Sequence, residues 1–404
     1  MNEHSNEVNQ NKEANSEFDV YQCIKQKQDK HQHWRRSIHQ HPELGFEEHT
    51  TSAFVVSKLK EWDIEVVEGI AGTGVVGKLR VGDGQKAIGL RADMDALAMQ
   101  ELNEFSHRSQ VDGKFHGCGH DGHTVMLLGA AEYLAQHKNF DGTVYFIFQP
   151  AEEGLGGASA MIEEGLFDRF PMDAVYGMHN WPNMQLGKFG ITEGPMMAAI
   201  ATFDIVVKGI GGHGALPHHC IDPIVIAAEI VQALQSIVSR NVNPQRSAVL
   251  SVTKIHGGDA YNVIPNEVTL AGGLRFFDQE VGELMKKRMT EVVQGIATLH
   301  GAQADIQIQQ LFPVLVNSPK ETINAFEAAT LVVGNDYVDL GIEPVSGSED
   351  FAHMLEKKPG AYIFIGNGEG EGGCMVHHPE YDFNDNAIAY GASYWVKLTE
   401  SQLK

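Results

Sequence analysis

The chain has 404 residues, enough for two domains and a large core, and its 43% hydrophobic and 21% charged residues are those of an ordinary globular protein. A formal net charge of −23 argues against a nucleic-acid or anionic-membrane partner, and no apolar run reaches bilayer length. Four scattered cysteines, Cys23, Cys118, Cys220 and Cys374, are too few for a disulfide framework and fit a reducing, cytoplasmic setting.

Residues 1–18 are polar and nearly free of apolar side chains. They read as a disordered tail, and as neither a secretory signal nor an Arg-rich transit peptide. From Tyr21 to Trp62 the pattern is helical, with a break at Pro42. The histidines at 31, 33, 39, 41 and 49 straddle that break without a nearby thiol or carboxylate pattern, so most of them read as solvated or structural. GTGVVG at 72–77 matches G-x-G-x-x-G, but the β-like VVGKLRV reaches a turn at 82–84 before any helix could form. No dinucleotide site is expected there.

Four apolar runs of strand length follow: AIGLRAD (87–93), VYFIFQP (144–150), AVYGMH (174–179) and AYIFIGN (361–367). Continuous rather than alternating apolarity marks strands buried on both faces, hence a mostly parallel sheet covered by helices. The helix TVMLLGAAEYLAQH (124–137) fits a crossover between two of them. From Gly194 to Leu311 the order becomes β-α-β-β-α-β, the ferredoxin-like split motif, with Asp222 and Pro223 as the start of its first helix. The expected organisation is a discontinuous α/β catalytic domain, 19–193 and 312–404, with an inserted lid over 194–311.

FHGCGHDGHT, residues 115–124, packs one thiol, three imidazoles and an aspartate among glycines. A thiolate and an imidazole two residues apart can reach one metal or two adjacent ones. Glu152 and Glu153 lie just past one predicted strand, His179 at the end of another, and His377 and His378 in the loop after a third. In open α/β sheets ligands bind beyond the carboxyl ends of the strands, so these groups are expected to converge. Adjacent residues in extended chain point in different directions. One carboxylate of the Glu152–Glu153 pair can therefore bind metal while the other faces a water, which a purely structural metal site would not need.

With RRSIHQHPELGFEE, GLRADMDAL, HGCGHDGHT, FQPAEEG, MHNWP, GIGGHGALPH, YNVIPNEV, LRFFD, SGSEDFA and HHPEYDF in this order, the chain resembles the amidohydrolase branch of the aminoacylase and carboxypeptidase-like metallopeptidases. That branch includes hippurate hydrolases, N-acyl-amino-acid amidohydrolases and plant hydrolases of indoleacetyl-amino acids. The resemblance implies that Cys118, His120, Glu153, His179 and His377 bind two divalent metals, zinc first, with manganese, cobalt or nickel admitted by the mixed donor set. It makes Glu152 the general base and Asp93 an acceptor that orients a ligand. From the lid it implies His213 as the group that polarises the scissile carbonyl, and Asn262 and Arg275 as substrate contacts. Where the branch has a ligand histidine in its distant relatives, Arg91 stands here. Gly273 and Phe276 replace threonines common around the arginine, Ala98 replaces a proline, and Cys374 offers an alternative soft ligand. The expected reaction is amide hydrolysis of a small N-acyl-amino acid, by a homodimer joined through the lid. A dipeptidase or carboxypeptidase on the same framework is the alternative.

Overall fold

A computed structural model describes residues 20–369 and 373–404; the tail expected over 1–18 lies outside them. The chain forms two compact units, one of residues up to Gly194 with Val316–Glu343 and His353–Lys404, the other of Pro195–Leu315 with Pro344–Ala352. Residues 344–352, assigned from sequence to the discontinuous α/β domain, therefore belong with the inserted segment. The cause is a backbone exchange that the sequence does not advertise. Ala198 N donates to Val345 O (3.2 Å) and Gly347 O (2.9 Å), and Val345 N donates to Met196 O (3.0 Å).

In the first unit eight strands form one sheet. They are β1 (Glu65–Ile70), β2 (Gly74–Val81), β3 (Ala87–Asp93), β4 (Gly142–Gln149), β5 (Ala174–Pro182), β6 (Phe189–Ile191), β7 (Val338–Leu340) and β8 (Gly360–Gly368), in the spatial order β1-β2-β4-β3-β5-β8-β6-β7. The central run β4-β3-β5-β8 is parallel, with Leu90 opposite Phe146 and Tyr176. Every residue of β3, β4 and β8 is buried, as continuous apolarity requires. Ile88, Leu90, Phe146, Phe148, Tyr176 and Ile363 share an apolar cluster with the unit's long helices α1 (Gln28–Gln40), α2 (His49–Glu61), α3 (His120–His137), α4 (Pro319–Val333) and α5 (Ala387–Gln402). On the alternate face Tyr145 meets Phe170, ring centroids 5.7 Å apart. Because the four central strands run the same way, residues at their carboxyl ends, such as Asp93 and Gln149, which are paired in register, share one edge.

The second unit has a four-stranded antiparallel sheet of Ala199–Lys208, Ala248–His256, Glu267–Phe276 and Gln303–Phe312, in the spatial order 4-1-3-2 by position in this unit. That order and its two helices, Pro223–Arg240 and Gln279–Leu299, give the split β-α-β-β-α-β topology. Asp222 caps the first helix by accepting from Ile224 N at 2.9 Å, and Asp278 caps the second by accepting from Glu280 N at 2.8 Å. The core lies between sheet and helices and includes Phe203, Ile205, Ile230, Leu234 and Met285. Pro223–Arg240 is long and apolar enough to pass for a membrane span, but it carries this core on one face.

The histidines near the start of the chain divide between solvated and structural positions. His33, His41 and His49 are exposed. His31 and His39, on α1 (Gln28–Gln40), are buried in ion networks. The fully buried Arg35 reaches Asp382 (2.8 Å), Asp385 (2.6 Å) and Asp121 (3.5 Å). His39 Nδ1 lies 2.8 Å from Asp121 Oδ2, and its Nε2 lies 3.3 Å from Glu101 Oε1. Burial opposes its charge, but Asp121 and Glu101 outweigh burial and push its pKa up to about 9.

Removing one partner from a buried ion network leaves uncompensated charge. Arg35→Met is expected to destabilise the first unit by about 3–5 kcal/mol, read as a large fall in unfolding temperature. The His39 contribution follows its proton. Its folded pKa lies above the ordinary histidine value of ~6.5, so the contribution is full below that pH and is lost as pH rises through about 9. The unfolding-temperature gap between wild type and His39→Gln should narrow over that interval.

Candidate metal centre

The loop before α3 turns sharply at Gly119, whose φ is +91°. A Cβ there would lie 2.4 Å from both Asn180 Nδ2 and Tyr381 Oη, so only glycine fits. The turn starts α3 at His120, four residues earlier than its apolar pattern suggests, and sets Cys118 and His120 on either side of the helix start. Glu152 and Glu153 follow β4 and Pro150. His179 lies within β5, which runs on to Pro182 rather than ending at the histidine. His377 sits after β8 at φ +66°, and its backbone N–H donates to Gly117 O at 2.7 Å.

These segments bring the ligating atoms of Cys118, His120 and His179 within 4.8 Å of one another, and likewise those of Cys118, Glu153 and His377 and those of His120, Glu152 and Glu153. Cys118 Sγ lies 3.3 Å from His179 Nε2. His377 Nε2 is 3.3 Å and His120 Nε2 is 4.0 Å from Glu153 Oε1. Cys374 belongs to none of these groups among the described residues, and instead packs against the apolar core.

Hydrogen bonds fix which imidazole nitrogen is available. His179 Nδ1 is 2.6 Å from Asn180 O, so it must donate, and Nε2 turns its lone pair toward the sulfur. His120 Nδ1 is 3.1 Å from Asp95 Oδ1, which leaves Nε2 facing Glu153. His123 is different. Its Nδ1 is 2.6 Å from Asp93 Oδ1, and its Nε2 accepts from Asn180 N at 2.9 Å. Both ring positions are used, so the motif's densest-looking histidine is a brace. Asp93 also takes Arg91 Nη1 at 2.7 Å and lies 3.8 Å from His120 Nε2. It thus orients His120 mainly through its neighbours, whereas Asp95, which sequence reasoning passed over, touches His120 directly. The second aspartate of RADMD was the available signal.

The electrostatics call for a cation. Burial, with Glu153, Glu152 and Asp93 nearby, pushes the Cys118 thiol well above its ordinary pKa. Burial also works against the charge on His120, but Asp93 and Asp95 raise its pKa to about 10. Burial and His123 hold His179 neutral. His120 Nε2 and Glu153 Oε1 are buried and make no hydrogen bond, although they lie 4.0 Å apart and His377 Nε2 approaches the carboxylate to 3.3 Å. Polar atoms orphaned this way are rare in a folded interior. A thiol, imidazoles and carboxylates facing one another with orphaned donor atoms fit divalent metal, and the donor set suits zinc-like ions.

In the second unit His213 and Asn262 lie on one short ribbon, His213 opposite Val263, with Gly214 N donating to Asn262 O at 2.8 Å. Both side chains are exposed. Arg275 is partly buried, and its Nη1 donates to Ser348 Oγ. Burial lowers its pKa. Phe276 points the other way, fully into the core.

The model of peptidase family M20/M25/M40 matches residues 89–401. A hippurate hydrolase of Campylobacter jejuni is 44% identical over 92% of this chain and 96% of its own length. An IAA-amino acid hydrolase of Arabidopsis thaliana is 40% identical over 91% and 84%. Among solved structures, a dinuclear metal binding peptidase of the M20 family from Bacillus subtilis is 34% identical, covers 94% of this chain and 99% of its own, and has a TM-score of 0.82.

The tautomer assignments separate the histidines by experiment. His120→Ala is expected to lose at least one equivalent of divalent metal. His123→Asn should keep the stoichiometry and weaken affinity by about 10–100-fold, the usual effect of an orienting group. Elemental analysis after dialysis against graded chelator reads both.

Proposed function

The chain belongs to peptidase family M20/M25/M40, and from that premise we propose that it is a metal-dependent amidohydrolase that cleaves the amide of N-acyl-amino acids, releasing a carboxylic acid and an amino acid. The observation that carries this reading is the convergence of one thiol, three imidazoles and two adjacent carboxylates at the carboxyl edge of a parallel sheet, with His120 Nε2 and Glu153 Oε1 orphaned in the interior. The curated relatives named for benzoyl-glycine and indoleacetyl-amino acid hydrolysis support the substrate class.

Cys118, His120, Glu153, His179 and His377 would hold two divalent ions, zinc being our choice. When bound, such ions supply Lewis acidity toward the amide carbonyl and toward water. Glu152 is the general base: its carboxylate takes a proton from the attacking water and delivers it to the departing amine nitrogen. His213 donates to the oxygen that gains charge as the carbonyl carbon becomes tetrahedral. Arg275, whose planar fork matches a carboxylate, and Asn262 hold the amino-acid end of the substrate. Asp93 keeps the histidines in register through His123 and Arg91.

The second unit is the proposed lid and dimerisation element. Its edge strand Ala248–His256 has a neighbour on one side only and exposes Val249 and Ile255, with Ile224, Val225 and Tyr261 also exposed in the same unit. Unpaired edges of this kind invite pairing with a second copy. We assign His213 to the active site of the neighbouring chain, and a cytoplasmic location in keeping with four free cysteines.

Glu152→Gln is expected to keep both metals and the fold while kcat falls by about 10²–10⁴-fold. Glu153→Gln should lose metal, and the reverse pattern would exchange the two roles. Side-by-side kinetics on N-acetyl-, N-benzoyl- and aminoacyl-amino acids decide between amidohydrolase and dipeptidase or carboxypeptidase. Co-refolding Glu152→Gln with His213→Ala should restore activity to about a quarter of wild type if His213 crosses the interface. Mixed dimers without recovery would return His213 to its own chain.

A further inference from the structure

The stretch HPELGFEE, residues 41–48, supplies none of the groups given a chemical role above. Its last residue, Glu48, is nevertheless completely buried. Glu48 Oε2 accepts from Thr73 Oγ1 at 2.5 Å, and Oε1 accepts from the backbone N–H of Ala151 at 2.8 Å. Ala151 immediately precedes Glu152 and sits at φ +54°, a left-handed conformation that an L-residue holds only when its surroundings impose it. The surroundings are visible. Gly157 N donates to Ala151 O at 3.0 Å. Gly45 lies so close that a Cβ on it would be 2.9 Å from both Cα and Cβ of Ala151.

The other side of the same turn is held by a different carboxylate. Asp95 Oδ2 accepts from Glu153 N at 2.9 Å, while its Oδ1 faces His120 Nδ1 at 3.1 Å. The two supports are themselves joined, since Ala96 N donates to Glu43 O at 2.8 Å. A dipeptide whose two carboxylates must diverge is therefore gripped at both ends, by Glu48 before Glu152 and by Asp95 at Glu153.

We propose that Glu48 is a positioning residue for proton transfer, fixing the left-handed peptide at Ala151 and thereby the aim of Glu152, while Asp95 separately positions the ligand pair Glu153 and His120. The proposal rests on the reading of Glu152 as general base. Its physical content is a division of labour: loss of Glu48 leaves the ligand cluster intact and misdirects the base, whereas loss of Asp95 disturbs the ligands. A shift on the order of 1 Å in a reacting group can cost about 10²-fold in rate.

The test uses full-length enzyme loaded with Co(II) and N-benzoylglycine as substrate. Glu48→Ala is expected to lower kcat by roughly 30–100-fold with KM within about threefold, and with metal content and the Co(II) absorption spectrum unchanged. Glu48→Gln should recover most of the rate, because its carbonyl can still accept from Ala151 N–H. In a Glu152→Gln background Glu48→Ala should cause no further loss, since residues that act through one another are non-additive. Asp95→Asn should instead alter the Co(II) spectrum and weaken metal retention. Should Glu48→Ala fail to fold, Thr73→Val removes only the hydroxyl that steadies Glu48, and a few-fold fall in kcat at unchanged KM is expected. Wild-type kcat in either Glu48→Ala or Thr73→Val, metal loss in Glu48→Ala, or a full additional loss in the Glu152→Gln background would overturn the positioning role. Wild-type kcat in Glu152→Gln alone would overturn the base assignment instead.

Discussion

Anionic groups gathered in a dry interior must be matched by cations or surrender their charge, and this constraint organises the first unit. Asp93, Asp95, Asp121 and Glu152 are all buried, with Asp93 and Glu152 acting on the Cys118 thiol and Asp95 held against Glu153. Some of the balance comes from the protein itself. Arg91 serves Asp93, while Arg35 and His39 serve Asp121. Among the candidate ligands, three atoms are left unmatched: a thiol held protonated by its surroundings, and the orphaned His120 Nε2 and Glu153 Oε1. Divalent ions held by Cys118, His120, Glu153, His179 and His377 would answer all three, since a metal ligand must be a thiolate and each orphan would gain a partner.

The balance is built in tiers that keep the inner groups still. Nearest the centre, Asp95 and Asn180 O select the tautomers of His120 and His179. Asn180 then ties several pieces together, donating through Nδ2 to Cys118 O at 2.7 Å and accepting from Tyr381 Oη at 2.8 Å. Farther out, Arg35 joins α1 to Asp121, next to His120, and to Asp382 and Asp385 in the segment before α5. Each tier is a network of satisfied hydrogen bonds, which fixes geometry more firmly than apolar packing alone.

What could be read from sequence follows from the range of the interactions involved. Strands β3, β4 and β8 announce themselves because burial on both faces leaves a continuous apolar run, and the C-x-H pair does so because two donors share one local turn. The supports were silent. Glu48 and Ala151 are 103 residues apart, and Asp95 and Glu153 are 58 apart. No local pattern encodes such a pairing. His123 shows the converse problem, since its spacing alone is as good as that of His120. Only the Asn180 N–H on its Nε2 distinguishes brace from ligand. Residues 344–352 were misassigned for a related reason: their attachment is a backbone exchange with 196–198, which carries no side-chain signature.

The departures around Arg275 gain a physical reading from strand geometry. Successive residues of the strand Glu267–Phe276 face opposite sides, and Phe276 is fully buried among core residues of the second unit, where a Cβ on Gly282 would lie 2.4 Å from its ring. Phenylalanine at this position therefore answers to a glycine-faced helix in the core and leaves the face carrying Arg275 untouched. Gly273, two residues from Arg275, lies on its side of the strand. A Cβ there would find only Ala201 O within 4 Å, at 3.6 Å, so this face of the strand could take a side chain that the sequence does not supply. The proposed ligands and base thus belong to the first unit and the proposed substrate contacts to the second.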